Sequence, residues 1–299
     1  MPYIKSDVTR GISMVMLAVV FFCIADAMAK YLTGFYPVSL IVWGRFAFHL
    51  LIVVLVLGPH YRLRLIRTRH LTEQILRGLL LTMGAMFFFS ALKYLPLAEA
   101  SAIAYLSPLF ITLFSVVFLK ERIEMNRWIA VLCGFAGVLI IIRPGSGVFT
   151  WAALLPMANA TTFAIYQIIT RRLSSDESPY TSIFYAGLVG TVLLSVFVPD
   201  VWMPPENGWH AAAFVGIGAV GALGHLILIK AYAYGPASRL APFSYSQLIW
   251  VAVIGFFAFG DFPDFWSLFG IAILIASGVY MAASQRRAER LADPSVVEE

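Results

Sequence analysis

Charge is what this chain has least of. Only 12% of its 299 residues are Asp, Glu, Lys or Arg while 61% are hydrophobic, too little polar surface to cover a soluble domain. Cysteine is equally scarce. Cys23 and Cys133 both lie inside apolar runs, which argues against a disulfide framework and against a cysteine-based metal site. No HxxxH pair or acidic cluster offers metal ligands, and no phosphate-binding loop offers direct use of ATP, so neither a metal nor a cofactor is expected. The formal charge of +5 does not point to nucleic acid, because the basic residues sit in alternate connectors and do not share one face.

What is present in quantity is the long apolar run. A bilayer core of about 30 Å takes roughly 20 residues of helix to cross. Runs of that kind recur at roughly 11–33, 37–58, 72–92, 97–119, 126–143, 149–170, 178–198, 209–230, 237–259 and 264–283. They are continuous and lack the alternation of a membrane barrel, so each must satisfy its backbone groups internally as a helix. The fold expected is an all-α integral membrane protein of ten transmembrane helices. Of the 21 Lys and Arg residues, all but Lys30, Arg45, Lys93 and Arg143 fall on the side of the N-terminus, which places both termini in the cytoplasm. The first run, preceded by Lys5 and Arg10 and containing Ala27-Met28-Ala29, resembles a secretion signal. Its cleavage would delete a segment that has a counterpart in the second half.

That counterpart emerges when the chain is slid by about 140 residues. Ala91, Tyr94, Pro96 and Tyr105 then meet Ala231, Tyr234, Pro236 and Tyr245, and Glu121 meets Asp261. Lys30 meets Arg171, Pro37 meets Pro179, and Gly137-Val138 meets Gly278-Val279. Five spans per half is an odd number, so the halves are expected to be two inverted five-helix repeats, at 1–147 and 148–283, followed by a disordered cytoplasmic tail at 284–299.

The stretch Ala98 to Pro108 (AEASAIAYLSP), the Lys120-Glu121-Arg122 triplet closing span 4 and Trp128 to Val138 in span 5 carry a family resemblance, echoed by Gly235 to Asp261 and Trp266 to Val279. On these residues the chain resembles the drug/metabolite transporter superfamily, specifically the EamA-type transporters with ten spans. The second half departs in having Asp261 where the first has Glu121, and Gln247-Leu248 near the expected Ser-Pro break. The resemblance implies a secondary active transporter of a small organic metabolite in the bacterial inner membrane. Relatives of this kind include importers of riboflavin or S-adenosylmethionine and exporters of amino-acid-like metabolites or metallophores.

Among candidate site residues, Asp26 comes first, because a carboxylate inside a span is costly and normally faces a partner or a wet cavity. Arg45 lies equally far from the Phe35–Tyr36 turn, so the two are expected at one depth on adjacent helices, either locking spans 1 and 2 together or opening for a substrate or a proton. Lys30 lies one turn above Asp26, placed either to attract anions or to snorkel to the headgroups. His49 and His225 are intramembrane imidazoles, suited to proton coupling or to a hydrogen bond between helices. Ser107-Pro108 and Ala241-Pro242 interrupt spans 4 and 9 at corresponding places, and paired breaks of this kind point to a binding site. Around them lie Tyr105, Ser244, Tyr245, Ser246, Gln247 and Trp250, with Trp43 on span 2 and Tyr166 and Gln167 on span 6, an aromatic wall suited to a planar or heterocyclic ligand or, equally, core and interfacial packing. Glu99 is expected to pair with Lys93 across the rim.

Movement of a small organic metabolite across the inner membrane by alternating access is the leading reading, with direction and proton coupling open, an exporter of a metabolite, drug or metallophore on the same fold the first alternative, and a membrane enzyme acting on lipid the alternative of another class. The acids at Glu121, Glu124, Asp176, Glu177, Asp261 and Asp264 sit at span boundaries, where they make no clustered centre of the sort an enzyme needs. Lipid and a small solute are the expected partners, with homodimer formation left open.

Overall fold

The computed structural model describes residues 5–119, 125–143, 151–173, 176–232, 234 and 240–292. These form helices with no strand among them. In chain order the helices are α1 (Lys5–Leu32), α2 (Val38–Tyr61), α3 (Leu71–Leu92), α4 (Leu97–Ala104), α5 (Ser107–Leu119), α6 (Met125–Ile142), α7 (Leu154–Leu173), α8 (Pro179–Ser195), α9 (Val198–Val201), α10 (Gly208–Tyr232), α11 (Ser246–Phe259) and α12 (Phe265–Ala292). Six of the described segments are long and apolar enough to cross a membrane, and four shorter apolar helices accompany them. Helix α12 runs on to Ala292, past the polar boundary expected at Ser284.

Local chemistry sets the ends. Pro37 precedes α2, and Ser178 caps α8 by accepting from the Tyr180 N–H at 3.3 Å, with Pro179 in the first turn where its missing N–H costs nothing. Gly260 ends α11 at φ 72°, a left-handed cap, and its N–H reaches the Phe256 carbonyl at 2.9 Å. Span 4 breaks at Tyr105–Leu106 and resumes at Ser107, so Pro108 sits in the first turn of α5, where proline is tolerated. On the other side a 3₁₀ turn over Ala241–Tyr245 holds Pro242 and leads into α11.

Helices pair in a regular scheme. Helix α1 packs on α10 and α11, and α7 packs on α3, α4 and α5; α2 packs on α8 and α10, and α8 on α2 and α3; α6 packs on α12. Glycines on α10 allow the approach: a Cβ on Gly216 would stand 3.0 Å from Met28 Sδ, and one on Gly224 2.7 Å from the Phe22 ring. The continuous core holds Cys23, Leu40, Phe89, Leu106, Ile217 and Leu248, while Leu55, Leu132 and Phe257 are among the large apolar side chains left on the outside. Such an exterior suits hydrocarbon.

Two sets of polar ties close the ends of the bundle. At the end where α1 begins, the near end, Glu177 accepts from Thr68 Oγ1 at 2.8 Å, from the Arg69 N–H at 3.0 Å and from Gln74 Nε2 at 3.4 Å. Burial works to raise the Glu177 pKa, but these donors and the nearby His70 outweigh it and hold the carboxyl below its usual range. At the far end Lys30 meets Asp261 at 2.6 Å, Arg143 meets Asp264 at 2.5 Å, and His210 sits 2.8 Å from the Tyr36 hydroxyl and 3.2 Å from that of Tyr31.

Candidate functional site

The helix scheme brings one polar cluster into the middle of the bundle. Asp26 projects from α1, buried at 8% exposure, and makes no hydrogen bond or ion pair among the described residues. Arg45 on α2 lies close enough for its charge to act on Asp26, although no N···O approach within 4.0 Å links them. The Arg45 guanidinium lies over the Phe89 ring of α3, 5.2 Å from its centroid. One turn further along α2, His49 is buried with its Nε2 lacking a hydrogen-bond partner among the described residues. Its ring meets His225 of α10 edge-on at 5.8 Å, and His225 in turn packs on Phe22 of α1 at 4.9 Å.

The two helix breaks complete the other wall. Tyr105, at the α4–α5 break, donates its hydroxyl to the Ser244 carbonyl at 2.7 Å and to Gln247 Oε1 at 2.9 Å. Its ring stands 5.2 Å from that of Tyr245, the residue before α11. Cys23, one turn from Asp26, directs its thiol toward the Gln247 carbonyl at 3.8 Å. A cavity of about 380 Å³ opens beside this wall, lined by Phe243, Tyr245, Ser246, Ile249, Ile275, Val279 and Ala283. It shares Tyr245 with the cluster but reaches neither Asp26 nor Arg45.

The residues singled out in the sequence therefore divide. Asp26, Arg45, His225, Tyr105, Tyr245 and Gln247 come together, with His49. Lys30 belongs to the far end, where it also donates to the Leu95 carbonyl at 3.3 Å and lies 5.0 Å from the Phe259 ring centroid. Trp43 donates to Ser195 Oγ at 2.9 Å and packs on Trp202. Trp250 shares the exterior with Ile249, Val253 and Phe257. Ser107 and Gln167 are half-buried with no side-chain hydrogen bond among the described residues. Tyr166 joins Arg77 near the other end. The rim pair expected between Glu99 and Lys93 does not form: Lys93 is exposed at the end of α3, while Glu99 in the first turn of α4 accepts from Ser267 Oγ at 3.0 Å.

Two buried basic residues escaped the sequence reading. Arg77, counted there among the loop charges, is 3% exposed and donates to Gln74 Oε1 at 2.7 Å, Thr170 Oγ1 at 2.9 Å and the Tyr166 hydroxyl at 3.3 Å. His210 is 1% exposed between Tyr31 and Tyr36. Both lie within a turn or two of a helix start, where a polar residue reads as a boundary marker.

A bundle of apolar helices around a buried charged centre, flanked by paired helix breaks, defines a membrane transport protein. The family model of EamA-like transporters matches residues 9–143 and again 150–283, and the chain belongs to that family. It is 30% identical to the S-adenosylmethionine uptake transporter of Rickettsia bellii over 93% of this chain and 95% of the relative. The riboflavin transporter of Vibrio cholerae is 29% identical over 96% and 97% of the two chains, and the pseudopaline exporter CntI of Pseudomonas aeruginosa 26% identical over 92% and 97%. A crystal structure at 22% identity superposes with a TM-score of 0.67, covering 94% of this chain and 99% of its own, and so shares the fold.

Proposed function

We propose that this protein is a secondary transporter that takes up a small organic metabolite across the bacterial inner membrane by alternating access, with Asp26 at the centre of its path. The carrying observation is Asp26 itself: a buried carboxylate with no hydrogen bond or close ion pair among the described residues, set near Arg45 of α2 and Tyr105 at the α4–α5 break. An aspartate at a helix centre costs about 2.5–3.5 kcal/mol on insertion scales. A purely structural role would give that charge a close partner.

Ten spans in two inverted repeats, with the near end and both termini in the cytoplasm, are part of the same reading. Two consecutive matches to one family model support it. So does the packing scheme, in which α1 on α10 is answered by α7 on α3, and α2 on α10 by α8 on α3, the exchange a two-fold repeat produces. The near end carries Arg62, Arg64, Arg67 and Arg69, as the excess of cytoplasmic positive charge requires. In this conformation the Lys30–Asp261 and Arg143–Asp264 pairs tie the far end shut, and no ATP site exists in the sequence, so a solute or proton gradient drives the cycle.

The test is mass-spectrometric profiling of cytosol and medium from cells expressing wild type, Asp26→Asn or no transporter, supplied with mixed metabolites. A compound enriched inside only with wild type names the substrate. Enrichment outside reverses the direction, in keeping with the exporter among the relatives. Wild-type accumulation by a well-expressed Asp26→Asn removes Asp26 from the path.

A further inference from the structure

At the near end, α2 closes on a residue that the local backbone does not favour. Arg62 caps the helix with a hydrogen bond from its N–H to the Gly58 carbonyl and stands at φ 46° and ψ −129°. That is the conformation of the first central residue in a type II′ turn, which glycine takes freely and a residue with a Cβ takes at a cost. Strain of this kind persists only where the surrounding structure holds it, and such positions gather at functional sites. Here the holding contacts are explicit. Leu65 is 3% exposed in a core with Phe184 and Tyr185, the Arg64 carbonyl accepts from Thr181 Oγ1 at 3.3 Å, and the Ile66 carbonyl accepts from the Tyr185 hydroxyl at 2.8 Å. These ties fasten the 3₁₀ turn over Arg62–Leu65 to α8 and leave Arg62, Leu63 and Arg64 exposed.

The three exposed residues border a cavity of about 400 Å³ together with His60 and Tyr61. His60 turns Nδ1 to the Val56 carbonyl at 3.2 Å, and Tyr61 packs on Tyr180 with ring centroids 4.6 Å apart. Lys230, in the last turn of α10, lies close enough for its charge to act on Tyr61. Three acids of this end are engaged elsewhere, Glu177 with Thr68, Arg69 and Gln74, and Glu73 and Asp176 beside His70. Neither Arg62 nor Arg64 has an ion pair among the described residues.

Orientation by positive charge needs only an excess of Lys and Arg on one side, and neither a cavity nor a strained turn fastened to a neighbouring helix. Cations around a cavity at the level where the apolar part of α2 ends fit a phosphate at headgroup depth. Deeper along the same face of α2, Leu51 and Leu55 lie one turn apart on the outside, and Arg62 follows Leu55 by seven residues, about 10 Å at 1.5 Å per residue. We propose that this is a binding site for an anionic phospholipid of the near leaflet, its phosphate held by Arg62 and Arg64 and one acyl chain laid along Leu55 and Leu51. The site is independent of the solute carried. Because its turn packs on both α2 and α8, a lipid bound there also stabilises that end of the bundle.

The experiment follows the purified full chain in detergent by native mass spectrometry and by thermal midpoint. The probes are dioleoylphosphatidylglycerol, dioleoylphosphatidylcholine with the same chains, and glycerol 3-phosphate with the charge alone. Wild type binds its first phosphatidylglycerol roughly fivefold to thirtyfold tighter than phosphatidylcholine, the range for one or two arginines at a membrane surface, and its midpoint rises with the former. Arg62→Gln with Arg64→Gln brings the two lipids level, and Arg62→Lys with Arg64→Lys keeps part of the preference. Arg286→Gln with Arg287→Gln, an equal loss of charge in α12, keeps it whole. Arg62→Gly weakens phosphatidylglycerol binding while its lipid-free midpoint stays at or above that of wild type, because the strain is gone. Lipid-free midpoints of the other variants show that each folds. Equal loss in both Gln pairs assigns the preference to net charge and overturns the proposal. So does glycerol 3-phosphate binding as tight as that of the lipid, a wild type without preference, or a lowered lipid-free midpoint in Arg62→Gly.

Discussion

A single residue is legible in a membrane sequence when it breaks the surrounding pattern. Asp26 and Arg45 interrupt apolar runs well away from their ends, so their exceptional place could be read from the chain alone. Arg77 could not: it lies two turns into α3, close to a basic connector, and its partners Thr170 and Tyr166 come from α7, a contact that no local pattern announces. Its buried guanidinium is held by three hydrogen bonds, so Arg77→Ala is expected to leave Gln74 and Thr170 short of a partner, costing about 1–3 kcal/mol. The check is a lower thermal midpoint of the detergent-purified protein, with Arg77→Lys falling between. Glu177 gives a pH prediction at the same scale. Its folded pKa is depressed, so it contributes stability at pH above the usual glutamate range and loses that contribution as pH falls through and below it. Thermal midpoints of wild type and Glu177→Gln are therefore expected to differ at neutral pH and to converge toward pH 3–4, roughly a unit around the ordinary carboxylate value. A constant difference across that range would assign the effect to shape and not to charge.

At the level of helices, the apolar runs foretold the elements closely, because a segment that must bury its own backbone in hydrocarbon has only one conformation open to it. Span breaks were legible through proline, yet their consequence was not. The sequence marks Pro108, whereas the helix actually opens at Tyr105–Leu106, and that opening turns the Tyr105 hydroxyl toward Ser244 and Gln247. Close approach of α2 and α10 at the cluster depends on Gly218, where a Cβ would stand 2.7 Å from the His49 backbone nitrogen and 2.9 Å from the Arg45 carbonyl oxygen. Gly218→Ala is expected to push the helix that bears Arg45 and His49 away from α10 and to cut transport at least tenfold in protein that still reaches the membrane, whereas Gly221→Ala, which meets no neighbouring atom within 4 Å, is expected to be neutral. Equal loss in both would mean that the α2–α10 contact is not special. The turn after α11 needs Gly260 in its left-handed conformation to bring Asp261 around to Lys30. If that ion pair holds the far end shut, Asp261→Asn raises access of an impermeant reagent from the far side. Glu121 lies outside the described residues, but its register with Asp261 predicts the opposite sign for Glu121→Gln, with greater access from the near side.

For the whole molecule, the chain reads as two copies of one unit whose partners exchange, and that relation is what a transporter uses: a second conformation can arise when the halves swap their packing. Internal register in the sequence carries this, since matched tyrosines, prolines and charges recur in order. What the register did not reveal is which of those positions meet. Tyr105 and Tyr245 match in the two halves and also touch, and Lys30 pairs with Asp261, which the register does not set opposite it. The most direct measurement places a single reporter at the centre of the path, Gln247→Cys in a Cys23→Ser, Cys133→Ser background, and follows its reaction with a membrane-impermeant thiol reagent in right-side-out and inverted vesicles. Alternating access predicts labelling from both faces, with Asp261→Asn shifting the balance toward the far side. Labelling confined to one face in every variant, with protein folded and inserted, would contradict the account.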